Sequence, residues 1–453
     1  MSDRPRFIFL ACQPGAEDVL KAEVARQEPD LRLAFSRPGL LTYKLPDDRR
    51  LHADFDLKLT FARAWGFSLG HVVGSDPRQM ARDAWSVIGP RPLRRVHVWA
   101  RCPQFASPTQ FDGDIAGQGQ GEPEATALDA TRPDADTTVQ LADAEDQQSG
   151  GNRPGLDGKR ETTEVPEGIQ RWIGPDERTA HESLLAEKPE EVGDLAVGAD
   201  DPLALARRGE FVLDCIIDPL PATADDGTDG SGIDDDQVET PHSAAFGDSP
   251  HPGRPMRWWL GYHRALRPPT IWPGGIPPLD LPPEAVSRAW LKTEEALRWS
   301  RFPLHEGARV AEIGCAPGGS SQVLLARGYE VLGIDPAEMA PAVADHPRFR
   351  HLRRRASQTR RREFRKTRWL FADMNVAPDY TLQVVEDIVM HPQVRIRGLL
   401  LTLKLPEWHL AEGLPDCAKR VSSWGFNKVA VRHLAHNHRE VCLAALKQPF
   451  RRR

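Results

Sequence analysis

The chain has 453 residues, 40% of them apolar and 27% charged, and its length exceeds one ordinary domain. No run of about 18 apolar residues occurs, which excludes a bundle of membrane-spanning helices. The formal net charge of −6 conceals a division, because Phe111 to Pro250 holds 34 acidic against 9 basic side chains and leaves 50 basic against 31 acidic elsewhere; the basic remainder favours a polyanion such as RNA as partner.

Residues 1–104 read as the first part of an α+β module. "RFIFLACQPG" is a strand running into a turn, "AEDVLKAEVARQ" has helical spacing, and "GLLTYKLP" and "VHVWARCP" are strands. Residues 105–200 carry many acids and few large apolar side chains, a composition that cannot offset the entropy of ordering, so an acidic disordered insertion is expected. Residues 201–220, with "GEFVLDCIIDPLP", return a strand to the module. A second acidic insertion is expected over 221–253, and 254–280, starting with "RWWLGYHRAL", closes the module and links it onward.

From 281 to 453 strands and helices alternate: "RVAEIG", "GGSSQVLLARG", "EVLGID", "RWLFAD" and "RGLLLTLKLP", then "KVAVRHLA" and "REVCLAALK" around "HNH". The alternation argues for an α/β domain with a parallel sheet, and the last pair for an antiparallel hairpin at its edge. The six cysteines include no Cys-x-x-Cys pair, so neither zinc nor a disulfide framework is expected. His433, His436 and His438 fit a polar turn, with no carboxylate or cysteine to complete a metal set. The expectation is a soluble, reduced, cytoplasmic protein, with no metal and no membrane attachment.

The densest signal is "VAEIGCAPGGSSQ", where Glu312 ends a strand and Gly314, Ala316, Pro317, Gly318, Gly319 and Ser320 form a turn into a helix. That order puts backbone N–H groups at the carboxyl end of a sheet, where nucleotide-like ligands bind. The spacing is not the dinucleotide G-x-G-x-x-G, and Pro317 removes a donor. Asp335, 21 residues after Gly314, ends the next strand and is placed to accept ribose hydroxyls. An adenosine with an amino-acid tail fits this better than a dinucleotide.

"AEIGCAPGGSSQ" with "GID" resembles motif I and the following acidic position of class I S-adenosylmethionine-dependent methyltransferases, in the form found in FtsJ-like ribose methyltransferases. Lys292 in "SRAWLKTEEAL", Asp373 in "FADMN", Lys404 in "LTLKLP" and Glu440 in "HNHREVCL" resemble that group's Lys-Asp-Lys-Glu tetrad. Overall the chain is most similar to the 23S ribosomal RNA cytidine 2′-O-methyltransferase family RlmM. The resemblance implies a Rossmann-like class I domain and a THUMP-like RNA-binding module before it. It also implies S-adenosylmethionine as donor, large-subunit ribosomal RNA as partner, and donor contacts from the glycine turn, Glu312, Asp335 and Asp373. Ser320 stands where the family usually has an aromatic residue, and Thr293 where an aliphatic one is common.

A ribose hydroxyl is a poor nucleophile at neutral pH, so a neutral amine beside it serves as general base, and Lys404 is the candidate. Burial and Lys292 would lower its pKa while Asp373 and Glu440 would raise it; the sequence leaves that balance open. From Arg348 to Arg368 there are 11 basic residues and one acid, including Arg353, Arg354, Arg355, Arg360, Arg361, Arg362, Arg365 and Lys366, read as phosphate contacts near the catalytic edge. Two other readings stay open: an inactive RNA-binding or ribosome-assembly factor that keeps the donor fold, and a small-molecule O-methyltransferase.

Overall fold

Two seven-stranded sheets are joined by one hydrophobic cluster that runs through both in the computed structural model, which describes residues 5–102, 174–196, 198–220 and 254–447. The first sheet is built from β1 (Phe7–Ala11), β2 (Arg32–Arg37), β3 (Leu40–Lys44), β4 (Ala64–Gly74), β5 (Arg95–Ala100), β6 (Phe211–Pro219) and β7 (Met256–Arg264), in the order β2-β3-β1-β4-β7-β6-β5. Only the β5–β6 pair is parallel. The helices α1 (Glu17–Gln27), α2 (Pro77–Ile88) and α3 (Pro175–Ala186) belong to this module.

The start and stop of α2 are written locally. Asp76 accepts a hydrogen bond from the backbone N–H of Arg78 at 3.1 Å, Pro77 sets the first helical φ, and Gly89 ends the helix at φ 61°. Between these ends Met80, Ala81, Ala84, Trp85 and Ile88 bury one face against the sheet, where each large side chain contributes about 1.5–3 kcal/mol. α3 corrects the expectation of disorder over 105–200. Ala180, His181 and Leu184 recur at helical spacing and are buried, and Leu184 accepts the Trp85 indole N–H at 2.9 Å. That apolar face outweighs the acids on the exposed side. The rest of that expectation, over 105–173, and the whole of that over 221–253 lie outside the described residues.

The second module holds α4 (Ala289–Ser300), β8 (Arg309–Ile313), α5 (Gly319–Ala326), β9 (Glu330–Ile334), α6 (Pro341–Ala344), β10 (Phe349–Leu352), β11 (Trp369–Ala372), α7 (Pro378–Val389), β12 (Gly398–Lys404), α8 (Leu414–Ser423), β13 (Lys428–Arg432) and β14 (Glu440–Leu446). The strand order is β10-β9-β8-β11-β12-β14-β13, with β8 to β12 parallel and β14 antiparallel to both neighbours. The chain turns back at β8, which has β9 on one side and β11 on the other, so a crevice opens at the carboxyl ends of β8 and β11. Among the described residues no helix is long and apolar enough to cross a membrane.

The modules meet at the β13–β14 hairpin. The buried Arg432 guanidinium donates to the carbonyl of Ala62 at 2.6 Å, His433 N–H donates to Thr60 O at 2.8 Å, and Phe61 packs edge-on against Trp408 and the His433 ring, which also touch each other. Glu23 of α1 fixes the other side of this segment by accepting the N–H groups of Thr60 and Phe61.

Candidate active site

At the end of β8 the chain enters the crevice through Gly314, whose φ is +74°. A Cβ there would lie 2.3 Å from the backbone oxygen of Asp373, so only glycine lets the β8 and β11 ends approach this closely. Gly319 begins α5 without a left-handed φ but is also crowded, since a Cβ would lie 2.2 Å from Ser287 Oγ and 2.7 Å from the Ser287 backbone oxygen. Asp335 closes the turn from β9: its carboxylate accepts the N–H of Ala316 at 3.1 Å and that of Ala337 at 2.8 Å, and keeps further lone pairs for a ligand. Ala316 and Pro317 form the outer bend, and Ser320 is buried in the first turn of α5.

Glu312 sits beneath the turn, buried, with Ser321 Oγ donating to it at 2.6 Å. Burial pushes its carboxyl up to about 7, aided by Asp373 and Asp335 and opposed by the two serines. Its unfolded counterpart titrates near 4.5, so the folded state binds the extra proton between those values. Stability therefore falls as pH rises through that window, by up to about 3 kcal/mol from this group. Glu312→Gln keeps an acceptor for Ser321 and removes the titration. Urea unfolding as a function of pH is expected to give a shallower decline for the variant over that window, and an unchanged decline would contradict this.

The four charged residues singled out in the sequence meet here. Lys292 comes from α4, Asp373 follows β11, Lys404 ends β12, and Glu440 starts β14 directly opposite Lys404 in the antiparallel register. Lys292 Nζ lies 2.5 Å from Glu440 Oε1 and 3.7 Å from Asp373 Oδ2. Lys404 Nζ lies 3.1 Å from Asp373 Oδ1 and pairs with Glu440 Oε2. The result is a closed ring of alternating charge, with Glu440 5% exposed and the other three 20–25% exposed. Burial alone would lower the Lys404 pKa, but Asp373 and Glu440 outweigh it and the net shift is upward. Burial likewise works to raise Glu440, and Lys292 and Lys404 bring its carboxyl below the ordinary value. In the resting site Lys404 is an ammonium.

Behind the ring a cavity of about 30 Å³ lies among Lys292, Glu312, Ser320, Thr402 and Asn437, with room for about two waters but not a nucleoside. A larger concavity of about 680 Å³ lies between Pro29 and Arg49 and includes none of the turn or ring residues.

The basic run does not keep to the catalytic edge, and here the structure corrects the expectation. Arg353 to Arg355 follow β10 on the Asp335 side; Arg353 Nε donates to Pro336 O at 3.3 Å and the guanidinium pairs with Glu338. The chain then passes through two short 3₁₀ turns, the second of which contains Arg361 and Arg362 and is preceded by Arg360. Arg365 and Lys366 arrive at the amino end of β11, where Arg365 donates to Gln393. β11 separates that pole from Asp373 by about 13 Å.

Several supporting groups were not anticipated. Asn437 Nδ2 donates to Glu440 Oε1 at 3.3 Å, and Glu295, one helical turn after Lys292, accepts the N–H groups of Ala435 and His436, both at 2.9 Å. Glu295, three residues after Lys292 in "LKTEEA", was legible as a second acid on α4; Asn437 carried no local signal. His433 and His436 are buried in the same connection, while His438 is exposed with its Nε2 2.9 Å from Arg288.

Residues 285–442 match the family described as FtsJ-like methyltransferase, a span that contains the turn, Asp335 and the whole ring. A relative named Ribosomal RNA large subunit methyltransferase M from Aromatoleum aromaticum is 32% identical over 182 residues, covering 38% of this chain and 48% of that protein. Its namesake from Halorhodospira halophila is 32% identical over 186 residues, covering 40% and 53%. The chain thus matches about half the length of these curated relatives. Among solved structures, a putative hemolysin from Lactococcus lactis is 18% identical with a TM-score of 0.32, covering 37% of this chain and 90% of that one.

Proposed function

We propose that this chain, through its FtsJ-like domain, transfers a methyl group from S-adenosylmethionine to a ribose 2′-hydroxyl in RNA, with a cytidine of large-subunit ribosomal RNA as the target. The observation that carries the reading is the closed ring of Lys292, Asp373, Lys404 and Glu440 beside the glycine turn. The turn suits the donor: it follows β8 at the crevice between β8 and β11, and Asp335 retains acceptor capacity toward ribose hydroxyls. S-adenosylmethionine, when bound, supplies a methyl group on a positively charged sulfur, and that charge favours the neutral form of a nearby amine.

Lys404 takes the proton of the 2′-hydroxyl as the oxygen–carbon bond forms and the carbon–sulfur bond breaks. It must first release its own proton, because the two carboxylates outweigh burial in the resting ring. Transfer therefore quickens as pH rises through the alkaline range. Lys292 ties Asp373 to Glu440 and so fixes Lys404 and the ribose in a reactive orientation.

The first sheet, with its helices, serves as the THUMP-like module that selects the RNA, and the arginine run contacts phosphates without reading sequence. Replacing Arg353, Arg354 and Arg355 together by glutamate is expected to reduce the slope of log affinity against log salt by about two to three. Replacing Arg365 and Lys366, at the far pole, is expected to change it less. Fluorescence anisotropy of an RNA fragment across a salt series measures both, and equal slopes for the triple variant and the parent would contradict phosphate contact. The function itself is tested by incubating the full chain with labelled donor and large-subunit ribosomal RNA. Label is expected in the RNA and not in Lys404→Ala reactions; RNA that binds but takes no label would favour the assembly-factor reading.

A further inference from the structure

The connection between β13 and β14 contains a tight turn at residues 434–437, closed by the N–H of Asn437 donating to Leu434 O at 3.1 Å. All four residues are buried, so their backbone groups need partners from the protein. Glu295 takes two N–H groups from the α4 side. The carbonyls are taken from the other module: Gln13, between β1 and α1, places Nε2 3.0 Å from Leu434 O, 2.8 Å from Ala435 O and 2.7 Å from Asn437 O. Three acceptors converge on an amide that has two hydrogens.

The gripped turn acts directly on the ring. Asn437 accepts the N–H of Leu434 with Oδ1 at 3.0 Å and donates with Nδ2 to Glu440 Oε1, the same oxygen that Lys292 approaches. A continuous path therefore runs from Gln13 through the Asn437 carbonyl and side chain to Glu440 and on to Lys404. The hairpin stem has its own anchors in Arg432 and His433, so Gln13 is not needed merely to attach the modules.

We propose that Gln13 is a positioning residue for methyl transfer: by holding the 434–437 turn it orients Glu440, which makes the first module part of the working site. This rests on the methyltransferase reading of the ring. A simple staple between modules would add stability without touching the chemistry, and two readouts separate the cases.

The full-length protein is compared with Gln13→Met, similar in length but without donors, and Gln13→Glu, which sets a carboxylate against three carbonyls. The first readout is single-turnover transfer at saturating donor and RNA, expected to fall about ten-fold for Gln13→Met and further for Gln13→Glu, with donor affinity within about two-fold. The second needs no RNA: reductive methylation of Lys404 is followed by mass spectrometry across pH, and its midpoint is expected to move down toward that of an ordinary lysine in both variants. An unchanged Lys404 midpoint, or transfer within about two-fold of the parent, overturns the proposal even if thermal stability drops. If the parent protein itself transfers no methyl group to RNA, the functional reading fails, while the labelling midpoints still decide whether Gln13 orients the ring.

Discussion

Lys404→Ala is expected to slow single-turnover methyl transfer by at least about 10²–10⁴-fold, the usual worth of a positioned acid or base. Donor affinity should stay within about two-fold, because Lys404 bonds to Asp373 and Glu440 and to none of the turn's glycines. Lys404→Arg is the more discriminating change. A guanidinium preserves the charge between the two carboxylates but does not deprotonate in proteins. Loss of transfer in both variants identifies proton removal as the lysine's task; recovery in the arginine variant would make it a fixed cation and move the base elsewhere. In the parent protein the rate should climb with pH above neutrality, since the net shift on Lys404 is upward. Glu440→Gln removes one of the charges that raise it, so the rise should begin at lower pH.

Gly314→Ala should cost about 3 kcal/mol and abolish donor binding. A left-handed backbone charges an alanine about 1–2 kcal/mol, and forcing its Cβ against packed atoms adds about 1–3 kcal/mol. The obstacle at Gly314 is the Asp373 carbonyl, 2.3 Å from the added carbon, which is backbone and cannot swing aside. Relief requires β8 and β11 to separate, and that opens the turn and carries Asp373 away from Lys404. Gly413 supplies the control, with no atom within 4 Å of an added Cβ and no left-handed φ. Thermal melting and calorimetric titration with donor measure both effects. Equal donor affinity in Gly314→Ala and the parent would contradict the placement of the donor in this turn.

The parts of the fold written in short stretches were legible in the sequence. The glycine turn, the strands on either side of it and the four charged residues at element ends could be read because each depends on a few neighbouring residues. The register that sets Lys404 opposite Glu440 could not, since it joins β12 to a strand 36 residues later. α2 went unread although its Asp-Pro start and Gly89 stop are local, and α3 was obscured by the acids around its buried face. β4 pairs with β7 across two long acidic segments, a non-local contact that no pattern in either strand announces. The charge of the arginine run was visible at once, but which pole of the sheet each arginine reaches depends on the 3₁₀ turns between them. Gln13 meets the 434–437 turn from 421 residues away, and its sequence context, "CQPG", says only that a strand has ended.

The chemical position of the transferred methyl group tests the central claim most directly. Large-subunit ribosomal RNA treated with the full-length chain and labelled S-adenosylmethionine is digested to nucleosides and separated. The ring of two lysines and two carboxylates predicts label in a 2′-O-methylated ribose, and the proposed target makes the base cytidine. Label on a base, or in a small molecule while the RNA stays unmodified, would contradict it.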